Sequence, residues 1–123
     1  MDIYREFLLD HYQNPRNYGE VIDADVIIEA ENLSCGDTLK LFLKRNGDII
    51  TEAGFTGEGC AIAIASASIM TEWLQGRTIK EAEDFKLDDL MQLLQVELTA
   101  SRSKCAALSI DALEKALLIK KNN

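Results

Sequence analysis

The sequence predicts an α+β fold in which helices pack on a three-stranded antiparallel sheet. Two observations carry this prediction: apolar residues recur at helical spacing near both ends of the chain, and between them apolar and polar residues alternate as in strands. The chain has 123 residues, 47% of them apolar and 28% charged, which is enough for one soluble domain with its own core. We expect that domain over residues 1–123.

The first helix is predicted at residues 2–13, where apolar residues from Ile3 to Tyr12 recur at helical spacing. Pro15 follows, and the residue before a proline is disfavoured in the helical conformation. The helix is therefore expected to end just before Pro15.

Three strands are predicted next, at residues 25–30, 38–45 and 48 to about 56. The last two are joined at Asn46-Gly47, a pair typical of tight hairpin turns. Leucines alternate with other residues from Leu39 to Leu43, which predicts a sheet with one mostly buried face.

Helices complete the predicted fold. The glycines within residues 57–59 are expected to break the third strand, and residues 61–75 to form a helix of small side chains that ends at Gly76. Residues 79–97 are expected to form two short helices or one broken helix. A last helix is expected to start near Cys105 and to continue to the lysines at the end of the chain, which suit the negative end of a helix dipole.

The charge of the chain argues against two classes of partner. Thirteen Lys and Arg residues face 21 Asp and Glu residues, for a net charge of −8. Nucleic acids and anionic membrane surfaces both require a basic surface, so neither is expected as a partner. The charged N-terminus and the absence of a long apolar run give no targeting or membrane segment. We expect a cytoplasmic protein whose three cysteines stay reduced.

Each of the three cysteines lies at a predicted junction between elements. Cys35 precedes Gly36 and Asp37 in a loop between two strands, and Gly36 permits a tight turn that directs the thiol and the carboxylate to one spot. Cys60 and Cys105 are each predicted to open a helix, where unpaired backbone N–H groups favour the thiolate. Thiolates are the form that binds metals and attacks sulfur.

Two cations near the last cysteine are candidates for a supporting role. Arg102 and Lys104 are close in sequence to Cys105, and their positive charges favour its thiolate.

Structural alternatives exist for each of these residues. A single cysteine is more often a small core residue than a ligand, Asp37 alone is compatible with an Asx turn, and Arg102 and Lys104 with a solvated surface. The one histidine, His11, is expected to be a packed or capping residue of the first helix rather than a metal ligand. If all the cysteines are structural, the protein binds no metal, and alanine at Cys35 or Cys105 has little effect.

Four segments of the chain, taken in order, resemble one known family. They are Asp10-His11-Tyr12-Gln13-Asn14-Pro15-Arg16-Asn17, Cys35-Gly36-Asp37, Gly57-Glu58-Gly59-Cys60 with its Ala/Ser-rich helix, and Lys104-Cys105-Ala106-Ala107-Leu108. The family is that of the U-type iron–sulfur cluster assembly proteins, which comprises IscU, SufU and the N-terminal domain of NifU. The resemblance spans essentially the whole chain and implies the same α+β fold that the residues predict.

The resemblance also implies one exposed metal or cluster site, formed here by Cys35, Asp37, Cys60 and Cys105. Sulfur would arrive from a cysteine desulfurase and pass to apo iron–sulfur proteins or other assembly factors. Two functions fit: a scaffold that holds iron or a [2Fe–2S] cluster, with Cys105 as the better sulfur acceptor, or a zinc-dependent sulfurtransferase, with Cys35 as the acceptor. Only the second function is enzymatic.

Residues near the third cysteine distinguish the branches of the family. The scaffold branch has a histidine before this cysteine, whereas Lys104 and the nearby Arg102 resemble the zinc-binding SufU branch. In a sulfurtransferase of that kind, the two cations are expected to steer a persulfide anion or to contact the partner. SufU proteins typically carry an insertion between the second and third cysteines, which this chain lacks. Residues 98–102 replace the Leu-Pro-Pro-Val-Lys segment that binds a dedicated Hsp70-type chaperone, so that chaperone is not expected as a partner.

Overall fold

The computed structural model describes residues 3–32, 36–95 and 100–121, which form five helices and three strands. The elements are α1 (Ile3–Gln13), β1 (Val26–Asn32), β2 (Asp37–Asn46), β3 (Ile49–Glu58), α2 (Ala61–Leu74), α3 (Ile79–Glu83), α4 (Leu87–Leu94) and α5 (Ala100–Lys121). The predicted α+β class is therefore confirmed. The extension of one domain over all of residues 1–123 stays a prediction.

The three strands form one antiparallel sheet in the order β1-β2-β3. At one end of the sheet Asn32 pairs with Asp37, so β2 begins directly beside the end of β1. Asn46 pairs with Ile49, and the hairpin turn consists of the two residues between them, the first of which is Gly47 at a φ of +62°. The predicted hairpin is confirmed, with its turn one residue later than the Asn-Gly pair.

One face of the sheet carries the predicted leucines and is buried under α2 and α5. Phe42 points to the opposite face but is also buried, with only 2% of its surface exposed. It pairs with Gly54, where an added Cβ would lie 2.8 Å from the carbonyl oxygen of Gly19 and 2.9 Å from the Val21 side chain. The chain after α1 therefore covers part of the second face of the sheet.

Two predicted element boundaries are wrong. The glycines at 57–59 do not break β3 where expected, because Gly57 pairs with Leu39 and the strand continues to Glu58. The last helix begins at Ala100, five residues before Cys105, because the polar residues that resembled a loop belong to its first turns. Both errors shift where cysteines lie relative to the ends of their elements.

The remaining helices agree with the sequence analysis. Helix α2 is buried along almost its whole length by α1, α5 and β3, which its small residues permit. Of the predicted range 79–97, the described residues 79–95 contain two short helices rather than one broken helix, and Thr78 and Glu81 form a capping box that starts α3. Among the described residues, no helix is both long enough and apolar enough to cross a lipid bilayer.

Candidate metal centre

Three side chains with metal-binding atoms meet at the end of the sheet where β2 begins. One carboxylate oxygen of Asp37 and the sulfur atoms of Cys60 and Cys105 all lie within 4.8 Å of one another. Asp37 is buried, Cys105 is partly buried and Cys60 is exposed. We call these three residues the candidate metal centre, which is closed on the side of the core and open on the side of the solvent.

Asp37 reaches the centre because it is the first residue of β2 and points to the buried face of the sheet. Gly36 precedes it at a φ of +75°, and its N–H donates a hydrogen bond to the carbonyl oxygen of Asn32 at 2.8 Å. This conformation is easy for glycine and strained for other residues. The turn expected at Gly36 is therefore present.

Cys60 reaches the centre as the N-cap residue of α2, two residues after the end of β3. Gly59 lets the backbone approach Asp37 closely, since an added Cβ would lie 3.0 Å from the carboxyl carbon and 3.0 Å from the Cβ of Ala63. A side chain at position 59 would therefore crowd the carboxyl group of Asp37, next to Cys60.

Cys105 comes from inside α5, not from its beginning. It is preceded in the helix by residues 100–104, so its N–H lies beyond the first turn, whose N–H groups have no partner within the helix. The expectation that Cys105 opens a helix is therefore wrong, whereas Cys60 does precede one as its N-cap residue. Helix α5 packs on β1 and β2, which brings Cys105 to Asp37.

The buried carboxylate gives the centre its clearest chemical property. Oδ2 of Asp37 is buried, and no group among the described residues donates a hydrogen bond to it. A buried polar atom without a partner costs about 1–3 kcal/mol, and more when it is charged. A metal cation would remove this cost, and the thiolate and carboxylate donors are ones that zinc and iron accept. The residues present therefore fit a metal ion, whereas a turn formed by Asp37 alone leaves this oxygen unpartnered.

Comparison with known proteins shows which family the chain belongs to. The family model described as NifU-like N terminal domain matches residues 3–121. The chain belongs to the NifU-like N-terminal domain family.

Two relatives of this NifU-like chain have different functions. The zinc-dependent sulfurtransferase SufU of Bacillus subtilis (strain 168) is 38% identical, over 94% of this chain and 89% of that protein. The iron–sulfur cluster assembly scaffold protein IscU of Escherichia coli (strain K12) is 37% identical, over 93% of this chain and 91% of that protein. The first alignment runs over 132 positions, more than the 123 residues of this chain, so the SufU relative has residues with no counterpart here.

Solved structures support the fold of this NifU-like domain. A protein from Fervidobacterium islandicum AW-1, described as an iron–sulfur cluster assembly scaffold for the SUF system, superposes with a TM-score of 0.75 at 32% identity. That match covers 91% of this chain and 94% of the other. A NifU-like N-terminal domain from Brucella abortus superposes with a TM-score of 0.83 at 20% identity, over 98% of this chain and 96% of that chain, and supports the fold alone.

The structure describes only some of the other site residues predicted for this NifU-like domain. Cys35 and the side chain of Arg102 lie outside the described residues. Lys104 is exposed on α5, directly before Cys105. The roles of these residues, and of the candidate metal centre as a ligand set, stay predictions.

The segment of residues 10–17, which contributed to the resemblance, has a structural role. The ring of His11 is buried, its Nδ1 lies 2.8 Å from the hydroxyl oxygen of Ser68 on α2, and the N–H of Arg16 donates to the same oxygen at 2.8 Å. Asn17 donates to the hydroxyl of Thr71 at 3.3 Å. These bonds attach the chain after α1 to α2, so His11 is packed as expected.

Burial and charge act on two titratable groups of this segment. Burial, and secondarily the charge of Arg16, lowers the pKa of His11, so the ring is neutral at pH 7. The hydrogen bond from Arg16, at 2.6 Å in an ion pair, lowers the pKa of the exposed Asp10 carboxyl. The charges of the segment are thus compensated within it.

Proposed function

We propose that this chain, an iron–sulfur cluster assembly protein of the IscU/SufU type, accepts sulfur from a cysteine desulfurase and holds iron or a nascent [2Fe–2S] cluster on Cys35, Asp37, Cys60 and Cys105. One observation carries the proposal. The carboxylate of Asp37 and the thiols of Cys60 and Cys105 converge, and the buried carboxylate oxygen has no hydrogen-bond donor among the described residues.

The sulfur-transfer step needs only an accessible thiolate. A thiolate of the site attacks the outer sulfur of a persulfide on the desulfurase, so that one S–S bond forms, the partner's S–S bond breaks and the partner leaves as a thiolate. The step consumes no oxidant or reductant. The exposure of Cys60 supports access by such a partner, and Cys105 is the acceptor that we propose for a scaffold.

Asp37 gives the proposed site its capacity to release what it holds. Stable iron–sulfur clusters are usually held by four thiolates. A carboxylate is a harder ligand than a thiolate, so a set with one carboxylate holds the cluster, here the cargo, less firmly. A cluster that leaves readily suits a protein that passes it to apo iron–sulfur acceptors.

A zinc-dependent sulfurtransferase is the second candidate, and Lys104 favours it. A protonated ammonium cannot bind a metal, so the position before Cys105 offers no ligand of the kind that a histidine would supply. Cys35, Asp37, Cys60 and Cys105 would then form a tetrahedral set that fits zinc. Bound zinc keeps its cysteine ligands as thiolates, and we propose Cys35 as the sulfur acceptor in this case.

The two candidates differ in what the purified protein contains. We would purify the chain anaerobically from iron-replete and zinc-replete cells, then measure its metal and sulfide content and its absorption spectrum. A brown protein with iron and sulfide that transfers its cluster to an apo-acceptor supports the scaffold. A colourless protein with one zinc that stimulates a cysteine desulfurase supports the sulfurtransferase. Protein without metal under both conditions contradicts both.

A further inference from the structure

The outer edge of β3 is covered by the chain that follows α1. The N–H of Gly19 donates to the carbonyl oxygen of Phe55 at 2.7 Å, and the N–H of Phe55 donates to the carbonyl oxygen of Asn17 at 3.0 Å. Phe55 is thus paired on this edge as if a further strand lay beside it.

A side chain continues this pairing where the backbone stops. Because strand residues alternate in the direction of their N–H and C=O groups, Gly57 presents both groups to the same edge as Phe55. The hydroxyl of Tyr18 donates to the carbonyl oxygen of Gly57 at 3.1 Å, and the N–H of Gly57 lies 3.5 Å from the same hydroxyl oxygen. One side chain therefore takes the place of a strand partner at Gly57.

The Tyr18 ring is held against the core although about half of its surface is exposed. It packs edge-on against Phe55, with ring centroids 5.2 Å apart and an interplanar angle of 79°. Phe55 is fully buried, so its position is fixed by the core. This packing of the ring consequently holds the Tyr18 hydroxyl in position to contact Gly57.

Gly57 is fixed from both sides, three residues before Cys60. On the side of β2 it pairs with Leu39, and an added Cβ would collide with the carbonyl oxygen of Thr38, which follows Asp37. On the other side it contacts Tyr18. Separation of Gly57 from either neighbour would free the short connection that carries Cys60 to the carboxylate of Asp37.

We propose that Tyr18 is a positioning residue for Cys60. The hydroxyl of Tyr18 holds the end of β3 in place through Gly57 and thereby slows the release of metal from the candidate metal centre. The effect on metal rests on the proposed function, whereas the effect on the end of β3 does not. The hydroxyl is the part that matters, because the ring alone would pack on Phe55 without reaching the backbone of Gly57.

Hydrogen exchange in the metal-free protein tests whether the Tyr18 hydroxyl holds the end of β3 in place. The variant Tyr18→Phe keeps the ring and removes the hydroxyl, and Tyr12→Phe makes the same change at an exposed tyrosine of α1. We expect the amides of residues 57–60 to exchange about three- to tenfold faster in Tyr18→Phe, the factor that one lost hydrogen bond gives. Amides of β1 and all amides of Tyr12→Phe should exchange at the wild-type rate.

Zinc release tests the connection to the metal centre. Zinc-loaded protein is mixed with a chromogenic chelator, and we expect release from Tyr18→Phe to be faster by a similar factor, with Tyr12→Phe unchanged. Unchanged exchange at residues 57–60 overturns the proposal, and so does faster exchange with unchanged zinc release. If the wild type holds no zinc or iron, the proposed function fails, and the exchange rates alone decide whether Tyr18 positions the Cys60 connection.

Discussion

Residues 10–17 and the candidate metal centre both contribute polar residues to the family resemblance. They differ in whether the buried polar groups have hydrogen-bond partners. In residues 10–17 the buried polar groups have partners within the chain: the ring of His11 and the N–H of Arg16 meet the hydroxyl of Ser68. At the centre, Oδ2 of Asp37 is buried without a donor among the described residues, and Cys60 faces the solvent.

The difference distinguishes a structural motif from the proposed metal-binding site. Polar groups that satisfy one another stabilise the fold, whereas a buried carboxylate with no partner destabilises it until a ligand arrives. Variants of the first region should therefore lower stability and leave metal affinity alone, whereas variants of the second should lower metal affinity without lowering the stability of the metal-free protein.

The largest expected effect is the loss of metal affinity in Cys60→Ala. Removal of a ligand should lower zinc affinity by at least about 100-fold, because even changes in residues that only support a ligand cost 10- to 100-fold. The free energy of unfolding of the metal-free protein should change by less than about 0.5 kcal/mol, since the side chain is exposed. Competition titration against a chelator and urea denaturation measure the two quantities. Wild-type zinc affinity would remove Cys60 from the centre.

Ser68→Ala should give the converse result. It leaves Nδ1 of His11 and the N–H of Arg16 without their shared partner, which should lower the free energy of unfolding by about 2 kcal/mol. Zinc affinity should equal that of the wild type when measured well below the denaturation midpoint. A loss of zinc affinity without a loss of stability would show that the two regions do not differ as described.

Asp37→Ala should separate the two roles within one residue. Removal of the unpartnered carboxylate should raise the free energy of unfolding of the metal-free protein by about 1 kcal/mol, while zinc affinity falls. If a [2Fe–2S] cluster can be reconstituted, its release to an apo-acceptor should be slower than from the wild type. A less stable metal-free protein would indicate that the carboxylate has a partner within the chain.

The smallest expected effect is a pH dependence due to His11. Its pKa is lowered in the folded state, so the unfolded chain binds the proton more readily. The contribution of the neutral His11 ring to the free energy of unfolding is complete above pH 6.5, the ordinary pKa of histidine, and decreases as the pH falls below that value. Between pH 7.5 and 5.5 the wild type should lose more stability than His11→Gln, which cannot titrate. Equal losses would mean that folding does not lower the pKa of the His11 ring.

The sequence predicted those parts of the fold that depend on local pattern. The first helix, the three strands and α2 follow from periodicity and from the Asn-Gly pair, and their bounds lie within about two residues of the predicted ones. The end of β3 and the burial of Phe42 depend on pairing with Leu39 and on the segment over Gly54, which are contacts between distant parts of the chain. No local pattern contains them.

The candidate metal centre was predictable only in part. Residue chemistry indicated reactive cysteines, but Asp37, Cys60 and Cys105 come from three elements, and the gaps between them do not show that they meet. Their convergence was implied by the resemblance. The contact of Tyr18 with Gly57 had no signal in the sequence, since an exposed tyrosine in a loop has no characteristic pattern.

A cobalt(II) titration of the reduced, metal-free protein tests the central claim most directly, because its absorption reports both thiolate ligation and geometry. We predict one equivalent of cobalt bound with intense thiolate charge-transfer bands and the visible bands of a tetrahedral site, and weaker charge transfer in both Cys60→Ala and Cys105→Ala. A weak octahedral spectrum, or a spectrum that either variant leaves unchanged, would contradict the assignment of these residues to one metal centre.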